Sequence, residues 1–292
     1  MQLESRNFEI LEEILVRAYA RGYSVVEVPL AYFPRGDGHS HARVLRFGWD
    51  IVRSMFALWK LRNSINSADY DERAFYSVIP PQRYWQRRRH SVIVGWARGF
   101  ECVLDAGCGS SIIIQTLNNA VGMDFSFPKL RFLRRRHVPV IEGSAFALPF
   151  KDRSFDCVIS SQVIEHIRYD SIIFSEMNRV LREGGTLIIG TPDYATIAWR
   201  IIEPLYGFLM PGGYREEHIT HYRRAGLQRI LNDNGFVVTD VAYVGGAEMI
   251  FKCRKEADVV SGVADKRRLQ SHAAPNSRLS YADSGARSQF GG

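Results

Sequence analysis

The 292-residue chain has little cysteine and no long apolar run. Its four cysteines, Cys102, Cys108, Cys157 and Cys253, stand too far apart for a C-x-x-C pair. That excludes a redox dithiol of this type and a disulfide scaffold, and it fits a reducing, cytoplasmic setting. Nowhere do 18 or more apolar residues follow one another, which excludes a polytopic membrane protein. Residues 1–6 lack the charged and apolar stretches of a secretory signal. Strong charge of one sign is also missing: the net +7 divides into about +5 over residues 1–100, about zero over 101–254 and about +2 over 255–292. A bias this weak makes no demand for nucleic acid, and none is expected as a partner. The runs Arg87-Arg88-Arg89-His90 and Arg134-Arg135-Arg136-His137 read instead as solvated helix faces. The N-terminal excess suits an anionic membrane surface or a lipid-linked partner. What remains, 46% hydrophobic and 24% charged, is the composition of an ordinary globular protein, and the length implies about two domains.

Apolar residues at helical spacing (Phe8, Leu11, Ile14, Leu15, Ala18) predict a helix over residues 8–20, closed by Gly22. The β-branched stretch 24–32 predicts a strand, and Pro29 assigns it to an edge or a bulge. Residues 44–62 predict a second helix with a wide apolar face (Phe47, Trp49, Val52, Met55, Phe56, Trp59) and a basic rim of Arg46, Arg53, Lys60 and Arg62. Such a helix lies either in a membrane interface, as a peripheral contact, or against a protein neighbour.

Three features of this segment, Asn7-Phe8-Glu9-Ile10, Gly22-Tyr23 followed by Glu27-Val28-Pro29, and Arg35 with Gly38 and Ser40, resemble the C-terminal part of family 2 glycosyltransferases of the polyprenyl-phosphate sugar synthase type. His41 stands where that family usually has lysine, and the nucleotide-sugar half with its metal-binding aspartates does not precede it. The resemblance implies a fragment, residues 1–66, without transferase chemistry of its own.

The polar stretch 64–70 reads as a linker, and residues 84–96 as a helix leading into a second domain, 67–254. From there strands (102–106, 120–124, 138–141, 155–160, 185–190) alternate with helices (111–118, 127–136, 170–181). That alternation predicts a Rossmann-like, doubly wound α/β sheet of about seven strands. A helix over 223–234 and a strand pair, 236–243 and 247–253, complete it. Residues 255–292, rich in Ser, Ala, Gly, Asp and Arg, read as a disordered tail.

Val103-Leu104-Asp105-Ala106-Gly107-Cys108-Gly109 is a buried strand running into a glycine turn before a helix, the place where an open parallel sheet binds its ligand. A dinucleotide site wants a third glycine at position 112, which is Ile112, and it does not want the acid Asp105 beside a pyrophosphate. An acid there suits an amino group, so the ligand expected is S-adenosylmethionine. Asp124 ends the next strand, where a carboxylate accepts both ribose hydroxyls.

With these residues in hand, 70–254 resembles a class I S-adenosylmethionine-dependent methyltransferase of the type 11 group. Further matches lie at Glu142-Gly143-Ser144-Ala145-Phe146, Gln162-Val163-Ile164-Glu165-His166-Ile167, Arg179 to Leu187, and Glu217-His218-Ile219-Thr220-His221-Tyr222. The resemblance implies cofactor contacts from Asp105, Gly107, Cys108, Gly109, Asp124, Phe125, Ser144, Ala145, Phe146 and Gln162. Ser144 stands where many relatives carry an aspartate toward the adenine amino group, so that contact passes to Ser144, Ala145 and Phe146. Ser111 replaces a later glycine of the first motif.

Methyl transfer needs an aligned acceptor, exclusion of water and, for a hydroxyl, a base. His166, at the rim beyond strand four, and His218 and His221, in a segment that can cover the pocket, are the candidate catalytic residues. For each a structural role is the competing reading. Glu217 is placed to orient one of them, and with no third ligand apparent no metal is assigned. Residues 199–214 read as a lid over an apolar or sugar-like acceptor, or as a core-packing helix. The expected function is methyl transfer to a small-molecule or lipid-linked sugar acceptor. The alternatives are a non-catalytic binding module and a piece of a fused glycosyltransferase and methyltransferase.

Overall fold

The computed structural model describes residues 10–31, 44–209 and 218–257. Two compact units divide the chain, Met1–Glu256 and Ala257–Gly292, and every element below lies in the first. Among the described residues, seven strands form one sheet in the order β3-β2-β1-β4-β5-β7-β6. They are β1 (Val103–Ala106), β2 (Ala120–Asp124), β3 (Val140–Glu142), β4 (Phe155–Ser161), β5 (Leu181–Pro192), β6 (Phe236–Val244) and β7 (Glu248–Lys255). The first five pair in parallel, and β7 runs antiparallel between β5 and β6. The order reverses direction at β1 and β4, so the crevice beyond their carboxyl ends is the topological switch point of the sheet.

Alternation along the strands divides the core between two faces. Leu104, Val158, Leu187, Ile189 and Phe251 pack with Phe174 and Met177 of α7 (Ser171–Val180) and with Leu227 and Leu231 of α9 (Arg224–Asp233). Val103, Cys157, Ile159, Ile188 and Ile250 face the other way, against Ile93 of α4 (Pro80–Ala97), Ile113 of α5 (Ile112–Thr116) and Leu130 of α6 (Phe127–Arg134). Helix α7 starts where Asp170 accepts the N–H of Ile172 at 2.9 Å, an N-cap that satisfies one of the free donors of its first turn.

Four expectations are corrected. Residues 23–31 form no strand: Val26, Val28 and Leu30 are exposed, and with no neighbouring strand to pair with, β-branched content alone does not make one. The described part of the N-terminal segment is therefore helical, α1 (Ile10–Ala20) and α2 (Val44–Arg62); residues 8 and 9 and the Arg35 to His41 motif lie outside the described residues. The stretch 64–70 is no free linker, because Ser67, Ala68 and Tyr70 are buried and the Ala68 N–H donates to Ala20 O at 2.9 Å. Lys255, assigned to the tail, ends β7 with its ammonium buried, donating to Asn178 O and Leu181 O at 3.0 Å each; residues 258–292 lie outside the described residues.

Nor is the arginine run 87–89 simply solvated. Arg89 turns inward from α4 and its Nε and Nη2 donate to the two oxygens of Glu248, each at 2.7 Å, while Trp85 Nε1 donates to the same carboxylate at 2.5 Å. Among the described residues no helix is long and apolar enough to cross a membrane.

Candidate cofactor and acceptor site

A cavity of about 630 Å³ opens at the carboxyl ends of β1, β2 and β4, roofed by α3 (Tyr70–Phe75) and α4. Its floor is the turn after β1. Gly107 and Gly109 have φ of +83° and +55°, the left-handed region that glycine enters without penalty. A Cβ on Gly107 would stand 2.3 Å from Val163 Cγ2. The turn is pinned to β2: Gly107 and Cys108 donate to Met123 O at 2.7 and 3.0 Å, and Gly109 donates to Asp124 Oδ2 at 2.8 Å. Ser126 N–H donates to Asp124 Oδ1 at 2.7 Å. Each oxygen of Asp124 thus has one protein partner and a remaining lone pair on the cavity side.

Asp105 differs. It is buried at the end of β1, its Oδ2 has no hydrogen bond, and it borders the cavity. Burial first, then the negative charges of Asp124 and Asp71, push its carboxyl up to about 8. A buried acceptor without a donor, beside a glycine cradle that no side chain can fill, fits an ammonium-bearing ligand. S-adenosylmethionine carries such a group, and the residues present fit it.

The remaining expected contacts gather around the same space. Phe125, Ser144, Ala145, Phe146 and Gln162 line the cavity, as do Cys108 and Asp124. Ser144 Oγ accepts the Phe146 N–H at 3.3 Å, so this residue shapes its turn as well as facing the cavity. Gln162 adopts a φ of +61°, unusual for a residue with a side chain, and its N–H is held by Gly190 O at 2.8 Å. Its buried Nε2 has no partner. Strain of this kind persists where the surroundings enforce it. Ser111 caps α5, accepting the Ile113 N–H at 2.9 Å, and α5 is a short helix of five residues.

Of the three candidate histidines the structure brings only His166 to the cavity wall, on a 3-10 turn over Ile164–His166. The His218 ring lies behind it, 5.0 Å between centroids, and is pushed down to about 4 by burial and by His166 and His221. His221 is exposed and stacks on Tyr194 at 4.0 Å, away from the cavity, so it is not among the acceptor-side groups. The two stand on a loop. Glu217 lies outside the described residues; Tyr194 and Glu203 stand beside His218, with Nδ1 2.7 Å from the Tyr194 hydroxyl. The loop borders the site. Ile219 and Thr220 donate to Glu165 O at 2.7 and 3.0 Å, and Ile219 lines the cavity. Within helix α8 (Ile197–Leu209) none of the residues whose side chains are described borders the cavity, and Trp199 packs on Tyr194 and His218; residues 210–214 of the expected lid lie outside the described residues.

Several functional groups escaped the sequence reading. Asp71 of α3 accepts the Ser110 N–H and hydroxyl at 2.9 Å each and pairs with Lys129 at 3.5 Å, closing the cavity over the glycine turn. Burial alone would raise its carboxyl, but Lys129 and the Ser110 hydrogen bonds hold it below the ordinary range. No motif marks Asp71, since its partners lie 39 and 58 residues away. Glu165 was visible only as the neighbour of His166. It is fully buried, neither carboxylate oxygen is in regular hydrogen-bond geometry, and burial pushes it up to about 8 against the opposing pull of its own backbone N–H and the Thr191 hydroxyl.

The sheet order, the antiparallel β7 and the acid-flanked glycine turn define the class: a Rossmann-like class I methyltransferase fold. Residues 104–189 match the family described as methyltransferase domain. It is 31% identical over 172 residues, 56% of this chain and 63% of the other, to a protein of Mycolicibacterium smegmatis named as a probable S-adenosylmethionine-dependent methyltransferase. An uncharacterized 37.1 kDa protein of a Streptomyces fradiae transposon is 32% identical over 57% of this chain and 51% of its own. The chain thus spans between half and two thirds of the length of these relatives. Among solved structures, magnesium protoporphyrin IX methyltransferase of Synechocystis, with bound S-adenosylhomocysteine, superposes with a TM-score of 0.50 at 20% identity, covering 71% of this chain and all of its own. A methyltransferase of Thermotoga maritima gives 0.50 at 21%, covering 61% of this chain and 96% of its own.

Proposed function

We propose that this protein transfers the methyl group of S-adenosylmethionine to a small-molecule acceptor bound beside His166. The observation that carries the reading is the unpartnered, buried Oδ2 of Asp105 at the glycine turn, with Asp124 at the end of the adjacent strand. In this reading Asp105 accepts from the ammonium group, Asp124 accepts from the ribose hydroxyls, and Ser144, Ala145 and Phe146 border the adenine, with Phe125 at the rim. Bound there, the cofactor supplies an activated methyl on sulfonium, open to in-line attack. Gln162 borders the cofactor, His166 holds the nucleophilic atom of the acceptor, and Ile219 and the loop behind it limit access of water. Release of S-adenosylhomocysteine with candidate acceptors tests this. Asp124→Ala should abolish turnover, and unchanged turnover in that variant would count against the site.

The acceptor class we infer is sugar-like or lipid-linked. Two features support it: the glycosyltransferase-like pattern within residues 1–66, read as a segment accompanying the methyltransferase domain of 67–254, and the exposed apolar stripe Trp49, Val52, Phe56 and Trp59 on α2, flanked by exposed Arg53, Lys60 and Arg62. Such a helix rests its apolar side in a bilayer interface while the basic rim meets anionic headgroups, which would bring a lipid-borne acceptor to the cavity.

A further inference from the structure

The loop over the cavity brings together three groups that the sequence holds 53 residues apart. One ligand atom each from Glu165, His166 and His218 lies within 4.8 Å of the other two. The sequence offered His218 and His221 without a third ligand; the fold sets His221 aside and brings His166 and Glu165 to His218 instead. The Glu165 carboxylate is fully buried with neither oxygen in regular hydrogen-bond geometry, only Thr191 and its own backbone N–H favouring the ionised form, a costly state for an acid that no cation accompanies.

The tautomer of His218 follows from its neighbours. The single hydrogen of the Tyr194 hydroxyl goes to Glu203 Oε1, 3.2 Å away, because a carboxylate only accepts. The phenolic oxygen must then accept from His218 Nδ1, 2.7 Å away, which puts the ring hydrogen on Nδ1 and the lone pair on Nε2. A carboxylate and a phenol holding the far nitrogen of an imidazole is the outer arrangement that metal-ligating histidines use.

We propose that Glu165, His166 and His218 bind a divalent cation of the zinc type, with its fourth position open to the cavity. The chemistry of the set is right: two imidazoles and one carboxylate with a free position is a common catalytic zinc pattern. The span also fits, since bonds of 2.0–2.2 Å place ligand atoms about 3.4 Å apart, a closure of little over 1 Å that side-chain torsions supply. His166 borders the cavity, so the open position faces the space where the acceptor binds. Resting on the methyltransferase reading, this narrows the acceptor to one that offers the cation an oxygen, such as a hydroxyl or a vicinal diol, and makes His166 a positioning residue that acts through the cation.

The full chain, stripped by chelator, is titrated with Co²⁺ and followed by its visible d–d bands, with Zn²⁺ in competition. One equivalent should bind with the intensity of a four- or five-coordinate nitrogen and oxygen site, and Zn²⁺ should displace it. Glu165→Gln and His218→Ala should each weaken binding more than about 100-fold, and Tyr194→Phe, which removes only the oriented outer partner, about 10-fold. Thermal melts establish that each variant is folded, and either ligand variant suffices if the other is not. Failure to bind at micromolar Co²⁺, binding unchanged in a folded ligand variant, or a thiolate-to-cobalt charge-transfer band overturns the proposal. Calorimetry with S-adenosylhomocysteine on the stripped protein separates the two readings. Silence there with cobalt bound normally sinks the methyl-donor reading alone, and the reverse sinks the cation alone.

Discussion

Asp105 couples ligand binding to proton release. Its folded carboxyl titrates at about 8 instead of 3.8, so between those values the folded protein holds a proton that the unfolded chain has lost. The group's contribution to stability is therefore complete below 3.8 and disappears as the pH rises through about 8. An ammonium group in the site demands the ionised form. At pH 7 S-adenosylhomocysteine should bind with release of about one proton, and its affinity should rise about tenfold per pH unit up to about 8 before levelling. Calorimetry in buffers of differing ionisation enthalpy reads the proton directly. Asp105→Asn should remove both the release and most of the affinity, and heats independent of buffer in the native protein would refute the assignment. Gly107 makes a second residue-scale case. Valine there would cost about 1–2 kcal/mol for the left-handed backbone and bring a Cβ within 2.3 Å of Val163 Cγ2. Gly107→Val should keep its far-ultraviolet dichroism and give no S-adenosylhomocysteine titration, and full affinity would contradict the cradle. Asp105, Gly107, Gly109 and Asp124 were legible because a strand end and a glycine turn are local patterns. Asp71 and the Glu165 and His218 pairing were not, because only the fold brings residues so distant in sequence into contact.

At the level of elements, α4 is tied to the start of β7 by a buried charge pair rather than by apolar packing alone. Glu248 is almost wholly buried and receives Arg89 twice and Trp85 once. Removing the arginine leaves a carboxylate without its counter-charge, a loss of about 3–5 kcal/mol for such a pair. Arg89→Met should lower the unfolding free energy measured in urea by that amount, and adding Glu248→Gln should restore much of it; a single variant within about 1 kcal/mol of the native protein would show that the pair carries no such weight. The strands were largely readable. β2 spans 120–124 as its apolar run predicts, and β4, β6 and β7 differ only by a residue or two at their ends. Where strand propensity misled, at residues 24–31, the missing ingredient among the described residues was a neighbour to pair with, which composition does not encode. β5 reaches back to Leu181, four residues earlier than its apolar run, because that residue pairs with Phe155 across a bulge. Register of this kind belongs to the sheet, not to the strand.

For the molecule as a whole, the uneven charge and the exposed apolar surface of α2 make a joint prediction. Ile51, Ser54, Leu58 and Leu61 form the half-buried side of that helix, leaving Trp49, Val52, Met55, Phe56 and Trp59 exposed on the remainder. A stripe this apolar is not accounted for by the core. If it meets a bilayer, Arg53, Lys60 and Arg62 each add about 1 kcal/mol on an anionic surface, so vesicles containing anionic lipid should bind the protein on the order of a hundredfold more tightly than neutral ones. The difference should shrink in high salt, as screening shortens the reach of the basic rim. Trp49→Glu with Phe56→Glu should release the protein from both kinds of vesicle while leaving its S-adenosylhomocysteine affinity intact, since neither residue borders the cavity. Co-sedimentation decides it: equal binding to neutral and anionic vesicles, or retention of the double variant, would mean that the stripe serves a protein neighbour and that the acceptor reaches His166 from solution.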